Sequence, residues 1–257
     1  MLYNELIEVS KPRFEKFFKN VKIFENQFCW NDYNAKCYDY FYKTNTYDEL
    51  ATVADAKKCI PEMKDICKKC GNYFIPKRNE SIPKYDVILG KQMEEELMDF
   101  LSKKLQTKVC RGDLENRSYP DCKILREDGS IAAYFEVKYH AAPFVYAKRF
   151  TGRECYEGSA TLDYKKMKKQ LALIEEEIEV PVYYVHWIDY PCLKGIFYEN
   201  SYMIKEHMEQ QHAEFERKKR EGDDKKSINA RYFSKIYSYL LELKSFEEML
   251  EEFKLLL

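Results

Sequence analysis

Three charged side chains interrupt two otherwise apolar runs between residues 120 and 140. Asp121 opens the first run, and Glu136 and Lys138 lie within the second, "AAYFEVKYH". The dipeptide Asp128-Gly129 between the runs is typical of a two-residue type I′ hairpin loop, which requires a positive φ at both positions. The segment is therefore predicted to be a β-hairpin that carries charges on its strands.

The predicted turn also fixes which residues face each other. It sets Glu127 opposite Ser130, and each further pair lies one residue outward on both strands. Asp121 is then opposite Glu136, where Cβ atoms are about 4.5–5.5 Å apart. Lys138 shares the face of Glu136, because side chains alternate along a strand. We expect two acids and a lysine to lie together on one face.

This combination of side chains suits metal-assisted phosphoryl chemistry. Two opposed carboxylates repel each other, and their burial without partners is costly. Mg²⁺ takes oxygen ligands and often binds through one or two carboxylates, water and substrate phosphate. A neighbouring lysine can orient or deprotonate a water, or neutralise charge on phosphate. The alternative is a solvent-facing strand with an incidental cluster.

The same residues resemble a known signature. Pro120-Asp121 followed by Glu136-Val137-Lys138 is similar to the PD-(D/E)xK motif of the restriction-endonuclease-like nucleases. The resemblance implies that Asp121 and Glu136 bind one or two Mg²⁺ ions, with Mn²⁺ as a substitute. It further implies that the Val137 carbonyl is an additional ligand and that Lys138 is the catalytic lysine.

Further residues near the hairpin are candidates for the same site. Gly90 and Glu94 match the G-x-x-x-E setting in which related nucleases carry an extra glutamate; an ordinary first-turn glutamate is the alternative. Gln170 falls where some related nucleases place a helix-borne glutamine. His140 ends the signature strand and is a candidate for substrate contact, whereas His186 is expected to be a satisfied core histidine.

The elements that must position these residues follow from periodicity. Helical spacing predicts helices over 90–106 and 162–179, and apolar runs predict strands over 107–110, 180–189 and 193–199. This order matches the core that the resemblance implies: a helix, a strand, the signature hairpin, a helix and a further strand. We therefore predict an α/β, restriction-endonuclease-like core with a mixed central sheet flanked by helices.

Three regions are predicted along the chain. Residues 1–85 are aromatic-rich, hold five cysteines and are expected to be mostly helical; residues 86–200 form the nuclease core; residues 201–257 are charged and expected to be helical. In the first region, Cys67 and Cys70 resemble half of a zinc knuckle. A structural zinc site needs four ligands, and no second C-x-x-C exists. A turn with buried thiols is therefore favoured over zinc.

Basic side chains near the hairpin are candidate phosphate contacts. Lys148, Arg149 and Arg153 lie in a predicted loop, where they contact a nucleic-acid backbone or simply form a solvated loop. The lysines within residues 165–169 lie on the polar side of a predicted helix, and the same two alternatives apply to them.

Composition limits the class of protein without naming a partner. Lys and Arg number 43 against 44 Asp and Glu, a net charge of −1, and a neutral total can conceal a basic cleft. The first residues carry charges where a signal peptide would be apolar, and no apolar stretch reaches the roughly 18 residues of a membrane helix. We expect a cytoplasmic protein with reduced thiols and no membrane association. No G-x-S-x-G, P-loop or dinucleotide-binding motif occurs in the sequence.

Together these features predict a Mg²⁺-dependent endonuclease that acts on DNA, most economically a type II restriction endonuclease. Cutting both strands would require two active sites and hence a homodimer. A structure-specific repair or resolvase nuclease is the alternative within the class. A non-catalytic nucleic-acid-binding protein is the alternative outside it.

Overall fold

The computed structural model describes residues 2–21, 83–113, 115–116, 118–140, 159–190, 194–210, 216–218 and 232–257. In these segments the helices are α1 Leu2–Asn20, α2 Pro83–Leu105, α3 Tyr164–Glu176, α4 Ser201–Gln210 and α5 Phe246–Leu256. The strands are β1 Val109–Arg111, β2 Cys122–Leu125, β3 Ile131–His140, β4 Ser159–Asp163, β5 Val182–Asp189, β6 Lys194–Asn200, β7 Glu216–Lys218, β8 Tyr232–Tyr239 and β9 Lys244–Ser245. None of the described helices has the length and apolar character that crossing a bilayer requires.

The central sheet has the strand order β1-β2-β3-β5-β6-β9. Strands β3 and β5 run parallel, and every other neighbouring pair is antiparallel. A smaller antiparallel sheet has the order β4-β8-β7. The prediction of an α/β protein with a mixed central sheet flanked by helices is confirmed.

Both faces of the central sheet are covered, and each face has its own apolar cluster. On one face, Phe135 and Trp187 pack with side chains of α1, α2 and α5, among them Phe14 and Phe253. On the other face, Tyr134, Tyr184 and neighbours from β4, α3, α4 and β8 form the second cluster. All of β5 is buried for this reason. Phe135 and Val137 belong to the first cluster, which confirms that they face away from Glu136.

The chain ends belong to the same body as the central sheet. Leu6 and Phe14 of α1 are fully buried in the cluster that also holds Phe246 and Phe253 of α5. Helix α5 begins with a capping box, in which Ser245 and Glu248 satisfy each other's backbone amides. Burial of each such large apolar side chain contributes about 1.5–3 kcal/mol. Helices α1 and α5 therefore complete the apolar cluster on this face of the central sheet.

The prediction that residues 201–257 are helical is wrong in part. Tyr232–Tyr239, "YFSKIYSY", forms strand β8 between β4 and β7. Five of its eight residues are aromatic or β-branched, which are the types that favour strands. The segment lacks a two-residue alternation of apolar and polar side chains, so periodicity did not indicate a strand. A short 3₁₀ turn then leads from β8 toward β9 and α5.

The predicted type I′ turn is also wrong. Gly129 has φ +82, whereas Asp128 does not have a positive φ; among the described non-glycine residues only Gln106 does. The Gly129 amide donates to the Arg126 carbonyl at 3.0 Å, and the Arg126 amide donates to the Ser130 carbonyl at 2.8 Å. The loop therefore has three residues and ends in a left-handed glycine.

A second irregularity offsets the longer loop. Leu125 pairs with Ile131, one residue away from the predicted partner. A bulge at Ile124–Leu125 then absorbs one residue of β3, and Cys122 pairs with Phe135. This is the pairing predicted for that part of the hairpin. The register beside the acids was thus predicted correctly, although from an incorrect turn.

Candidate active site

Asp121 directly precedes β2, where the next pair of the β2–β3 ladder would set it beside Glu136. Its backbone is held from the other side, because the Gly112 amide donates to the Asp121 carbonyl at 2.8 Å. A Cβ at Gly112 would lie 2.1 Å from the Pro120 carbonyl oxygen. Only glycine therefore allows β1 to approach the chain closely enough to fix Asp121.

Glu136 lies on the buried middle part of β3 and is 5% exposed. The Lys166 ammonium forms an ion pair with its Oε1, and Gln170 Nε2 donates to its Oε2 at 2.7 Å. Lys166 and Gln170 are four residues apart on α3, so they project from the same side of the helix. Asp163 fixes the start of that helix by accepting a hydrogen bond from the Lys166 amide at 3.1 Å.

Burial and the charge of Glu136 both act on the Asp121 carboxyl group. Burial raises the pKa of Asp121, and the negative charge of Glu136 raises it further, to about 6. Three groups lower the pKa of Asp121 but only partly offset this rise: Lys166, the Val137 backbone amide and Lys138. The ionised form of Asp121 is therefore disfavoured, and an additional cation bound to its carboxylate would favour it.

Two lysines accompany the acids from different elements. Burial lowers the pKa of Lys166, but the charges of Glu136 and Asp121 outweigh it and the net shift is upward. Lys138 is exposed on β3, and its charge acts on Asp121. Lys138, the predicted catalytic lysine, thus acts on Asp121. Lys166, which the sequence suggested only as a possible phosphate contact, forms an ion pair with Glu136.

Glu94 is placed differently from the other predicted site residues. Its side chain is 15% exposed and forms an ion pair with Arg111 of β1, which also lies 3.4 Å from Glu95. In the structure, Glu94 is therefore neutralised by the Arg111 guanidinium. Its predicted catalytic role stays a prediction.

The donor set suits a hard divalent cation such as Mg²⁺. Asp121 and Glu136 offer two carboxylates, and Mg²⁺ usually takes only one or two from a protein. The Val137 amide bonds to the Asp121 carboxylate, and a strand residue directs its N–H and C=O toward the same neighbour. The Val137 carbonyl is consequently on the edge of β3 that faces β2. Within the described parts of the chain, no group of three or more His, Cys, Asp or Glu side chains is arranged to hold a metal.

Several predicted residues lie outside the described segments. These are the candidate phosphate contacts Lys148, Arg149 and Arg153 and the candidate zinc ligands Cys67 and Cys70.

A buried polar network, which the sequence did not predict, starts at the end of β3. His140 Nε2 lies 3.1 Å from His186 Nδ1, and His186 Nε2 lies 2.8 Å from Glu199 Oε1. Glu199 also pairs with His207 at 3.1 Å and accepts from the Ser238 hydroxyl at 2.8 Å. The expectation that His186 is a satisfied core histidine is confirmed. A lone Glu in the apolar run "KGIFYEN" was the available signal for Glu199.

The hydrogen bonds of this network stabilise the carboxylate form of Glu199. Burial alone would raise the pKa of Glu199, but hydrogen bonds from His186 and His207 lower it to about 2. Burial lowers the pKa of His207, yet Glu199 raises it and the net shift is upward. Glu199 is therefore a carboxylate near neutral pH, and its negative charge favours the protonated form of His207.

Comparison of the chain with models of protein families, with curated proteins and with solved structures finds no match.

Proposed function

We propose that this protein is a Mg²⁺-dependent endonuclease with a restriction-endonuclease-like core that hydrolyses DNA phosphodiester bonds. The observation that carries the proposal is the proximity of Asp121 and Glu136 on one face of the hairpin, with Lys138 at the next position of that face. The order α2, β1, β2, β3, α3, β5 supports it, because it is the order that the resemblance implies.

Asp121, Glu136 and the Val137 carbonyl would hold the cation. When bound, Mg²⁺ supplies a Lewis acid that acidifies a water and neutralises charge on the reacting phosphate. Lys138 is exposed on the same face, so it orients the attacking water or contacts the phosphate. Lys166 forms an ion pair with Glu136, and a divalent cation would compete with Lys166 for this carboxylate.

A type II restriction endonuclease remains the most economical form of this proposal. The chain carries no P-loop motif that would indicate a motor. Cleavage of both strands by a single-site chain would need a homodimer, in which two copies present one active site to each strand.

A non-catalytic nucleic-acid-binding protein is the second candidate. It is favoured by the ion pairs Lys166–Glu136 and Arg111–Glu94, which neutralise two of the four proposed catalytic residues without a metal. In this alternative the acids stabilise the packing of α3 and β1 against the hairpin, and the surface lysines bind phosphates.

Cleavage assays separate the candidates. The protein is incubated with plasmid, branched and single-stranded DNA in Mg²⁺, in Mn²⁺ and in EDTA. Discrete metal-dependent fragments of plasmid support a restriction endonuclease, and cleavage of branched DNA alone supports a resolvase. Lys138→Ala should lower the rate by about 10²–10⁴-fold, whereas Lys103→Ala, at an exposed position of α2, should not. Absence of cleavage under all conditions would refute the enzyme proposal.

A further inference from the structure

Both oxygens of the Glu136 carboxylate already have donor partners. The Lys166 ammonium pairs with Oε1, and Gln170 Nε2 donates to Oε2 at 2.7 Å. A carboxylate has about four lone-pair sites, so a divalent cation can share it with the neutral amide of Gln170. Sharing it with an ammonium is unfavourable, because two cations at such short range repel each other. Lys166 is therefore the donor that cation binding would displace.

The two donors differ in their freedom to move. Gln170 is 1% exposed and is buried together with Met167 on the inner side of α3. The Lys166 side chain, by contrast, is 42% exposed. The backbone of Lys166 is fixed, since its amide donates to Asp163 Oδ1 at 3.1 Å, but a lysine side chain has a flexible stem. The ammonium can therefore turn away from Glu136 toward solvent while α3 stays in place.

A displaced ammonium needs a new anionic partner. Besides Glu136, the acids Asp121 and Asp163 act on the charge of Lys166. Asp121 is the second proposed ligand of the cation, and Asp163 Oδ2 lies 3.4 Å from Lys235 Nζ. A substrate phosphate that contacts the cation would lie beside Glu136 and hence near the Lys166 ammonium. Its negative charge would replace the one that Lys166 gives up.

We propose that Lys166 exchanges one anion for another during substrate binding: its ammonium leaves Glu136 when a divalent cation binds and then pairs with a nucleic-acid backbone phosphate. This inference rests on the proposed function, because it assumes that Glu136 binds a cation and that nucleic acid lies beside it. Lys166 is then a second lysine of the site in addition to Lys138, and its contact with phosphate depends on the metal.

The exchange couples the binding of the two ligands. Without nucleic acid, the cation competes with Lys166 for Glu136, so the affinity for the cation is lowered. With a phosphate nearby, the ammonium has another partner and the competition is weaker. Linkage requires that each ligand then strengthens the binding of the other by the same factor. We expect this factor to be about ten for a short DNA duplex.

Calorimetric titration with Ca²⁺, which takes oxygen ligands as Mg²⁺ does, measures this factor with and without a short DNA duplex that is recovered intact. Wild type, Lys166→Met and the exposed-lysine control Lys103→Met are compared. Lys166→Met keeps an apolar stem but removes the competing charge. It should bind Ca²⁺ alone about tenfold more tightly than wild type, the effect of one charge-assisted hydrogen bond, and the duplex should strengthen its Ca²⁺ binding several-fold less. Lys103→Met should behave as wild type does.

A second measurement uses wild type alone and does not depend on the folding of any variant. NMR of the lysine side chains follows the Lys166 ammonium in the free protein, with Ca²⁺, and with Ca²⁺ and the duplex. The Lys166 signal should shift with Ca²⁺, and a scalar coupling between its Nζ and a duplex phosphorus should appear once both ligands are bound. A Lys166 signal that stays unchanged while Ca²⁺ binds would overturn the proposal.

The outcomes separate this inference from the proposed function. If wild type cleaves DNA in Mg²⁺, but Lys166→Met binds Ca²⁺ no more tightly than wild type or keeps the full coupling, the exchange is refuted and the nuclease proposal is not. If wild type binds no divalent cation and cleaves no nucleic acid, both are refuted.

Discussion

Replacement of Asp121 by Asn should stabilise the protein at pH 8 while it removes activity. Asp121 is held beside Glu136 in a largely buried position, and its ionised form is disfavoured by both burial and the neighbouring charge. Asn keeps an oxygen that can accept from the Val137 amide, but it carries no charge. The substitution therefore removes an electrostatic repulsion that metal binding would otherwise relieve.

The magnitude follows from the pKa shift. The pKa of Asp121 rises from 3.8 to about 6 on folding, and one unit corresponds to about 1.4 kcal/mol. The folded state binds more protons than the unfolded chain between these values, so stability falls as the pH rises through this window. The full deficit, about 3 kcal/mol before relaxation of the neighbouring groups, is present above pH 6. We expect a gain of about 2 kcal/mol at pH 8 and almost none at pH 4.

Urea unfolding followed by the fluorescence of buried Trp187 measures this difference. With a slope of about 2 kcal/mol/M, the midpoint should increase by about 1 M at pH 8. Asp113→Asn is the matched control, because Asp113 is exposed and accepts hydrogen bonds from the Glu115 and Asn116 amides. These bonds lower the pKa of Asp113, so its replacement should give no gain.

Mg²⁺ provides an independent arm of the same experiment. A cation that binds the folded protein raises stability with its concentration. Mg²⁺ at pH 8 should therefore stabilise wild type and have little effect on Asp121→Asn. A loss of stability in Asp121→Asn at pH 8, or an equal effect at pH 4 and pH 8, would refute the reasoning, because the Asp121 charge would then be favourably paired in the folded state.

Three further substitutions probe the surroundings of the two acids and the buried histidine network. Gly112→Ala should destabilise the protein by about 2 kcal/mol or more and reduce cleavage, because the new Cβ would overlap a backbone oxygen; thermal unfolding and a cleavage assay measure both effects. Lys166→Met should cost about 2 kcal/mol at pH 8, since it removes the cation that pairs with Glu136 and acts on Asp121. The cost should be smaller at pH 4, because Asp121, with a pKa of about 6, is then protonated; urea unfolding at both pH values tests this, and an equal cost at both would contradict it. Glu199→Gln should cost about 3 kcal/mol, most between about pH 4.5 and 6.5, and chemical unfolding across pH 3–9 measures the profile. The lowered pKa of Glu199 makes its contribution disappear as the pH falls from 4.5 toward 2, and the raised pKa of His207 makes its contribution decline as the pH rises above 6.5.

The strongest sequence predictions were those with a clear period. Met93, Leu97 and Leu101 recur at helical spacing and are fully buried in α2. The apolar run that became β5 is buried throughout, as its composition indicates. The spacing of apolar residues shows which side of a helix or strand faces the core. It therefore predicts the helices and strands in which buried and exposed positions follow a regular pattern.

Features that depend on distant partners were harder to predict. Lys166 is one of four closely spaced lysines, and its contact with Glu136 follows from how α3 is rotated when Met167 and Gln170 are buried. Strand β8 depends on pairing with β4, about 70 residues earlier in the chain. Local composition does not contain these contacts.

The hairpin has two irregular features, a three-residue loop and a β-bulge. Together they determine whether Asp121 and Glu136 lie on the same face of the sheet. A shift of one residue in pairing would turn every side chain of one strand to the opposite side of the sheet. The three-residue loop and the bulge at Ile124–Leu125 cancel each other, so neither can be gained or lost alone without separating Asp121 from Glu136. Insertions and deletions in this loop should accordingly be accepted only in pairs, one at the tip and one at the bulge, even though the tip itself is exposed.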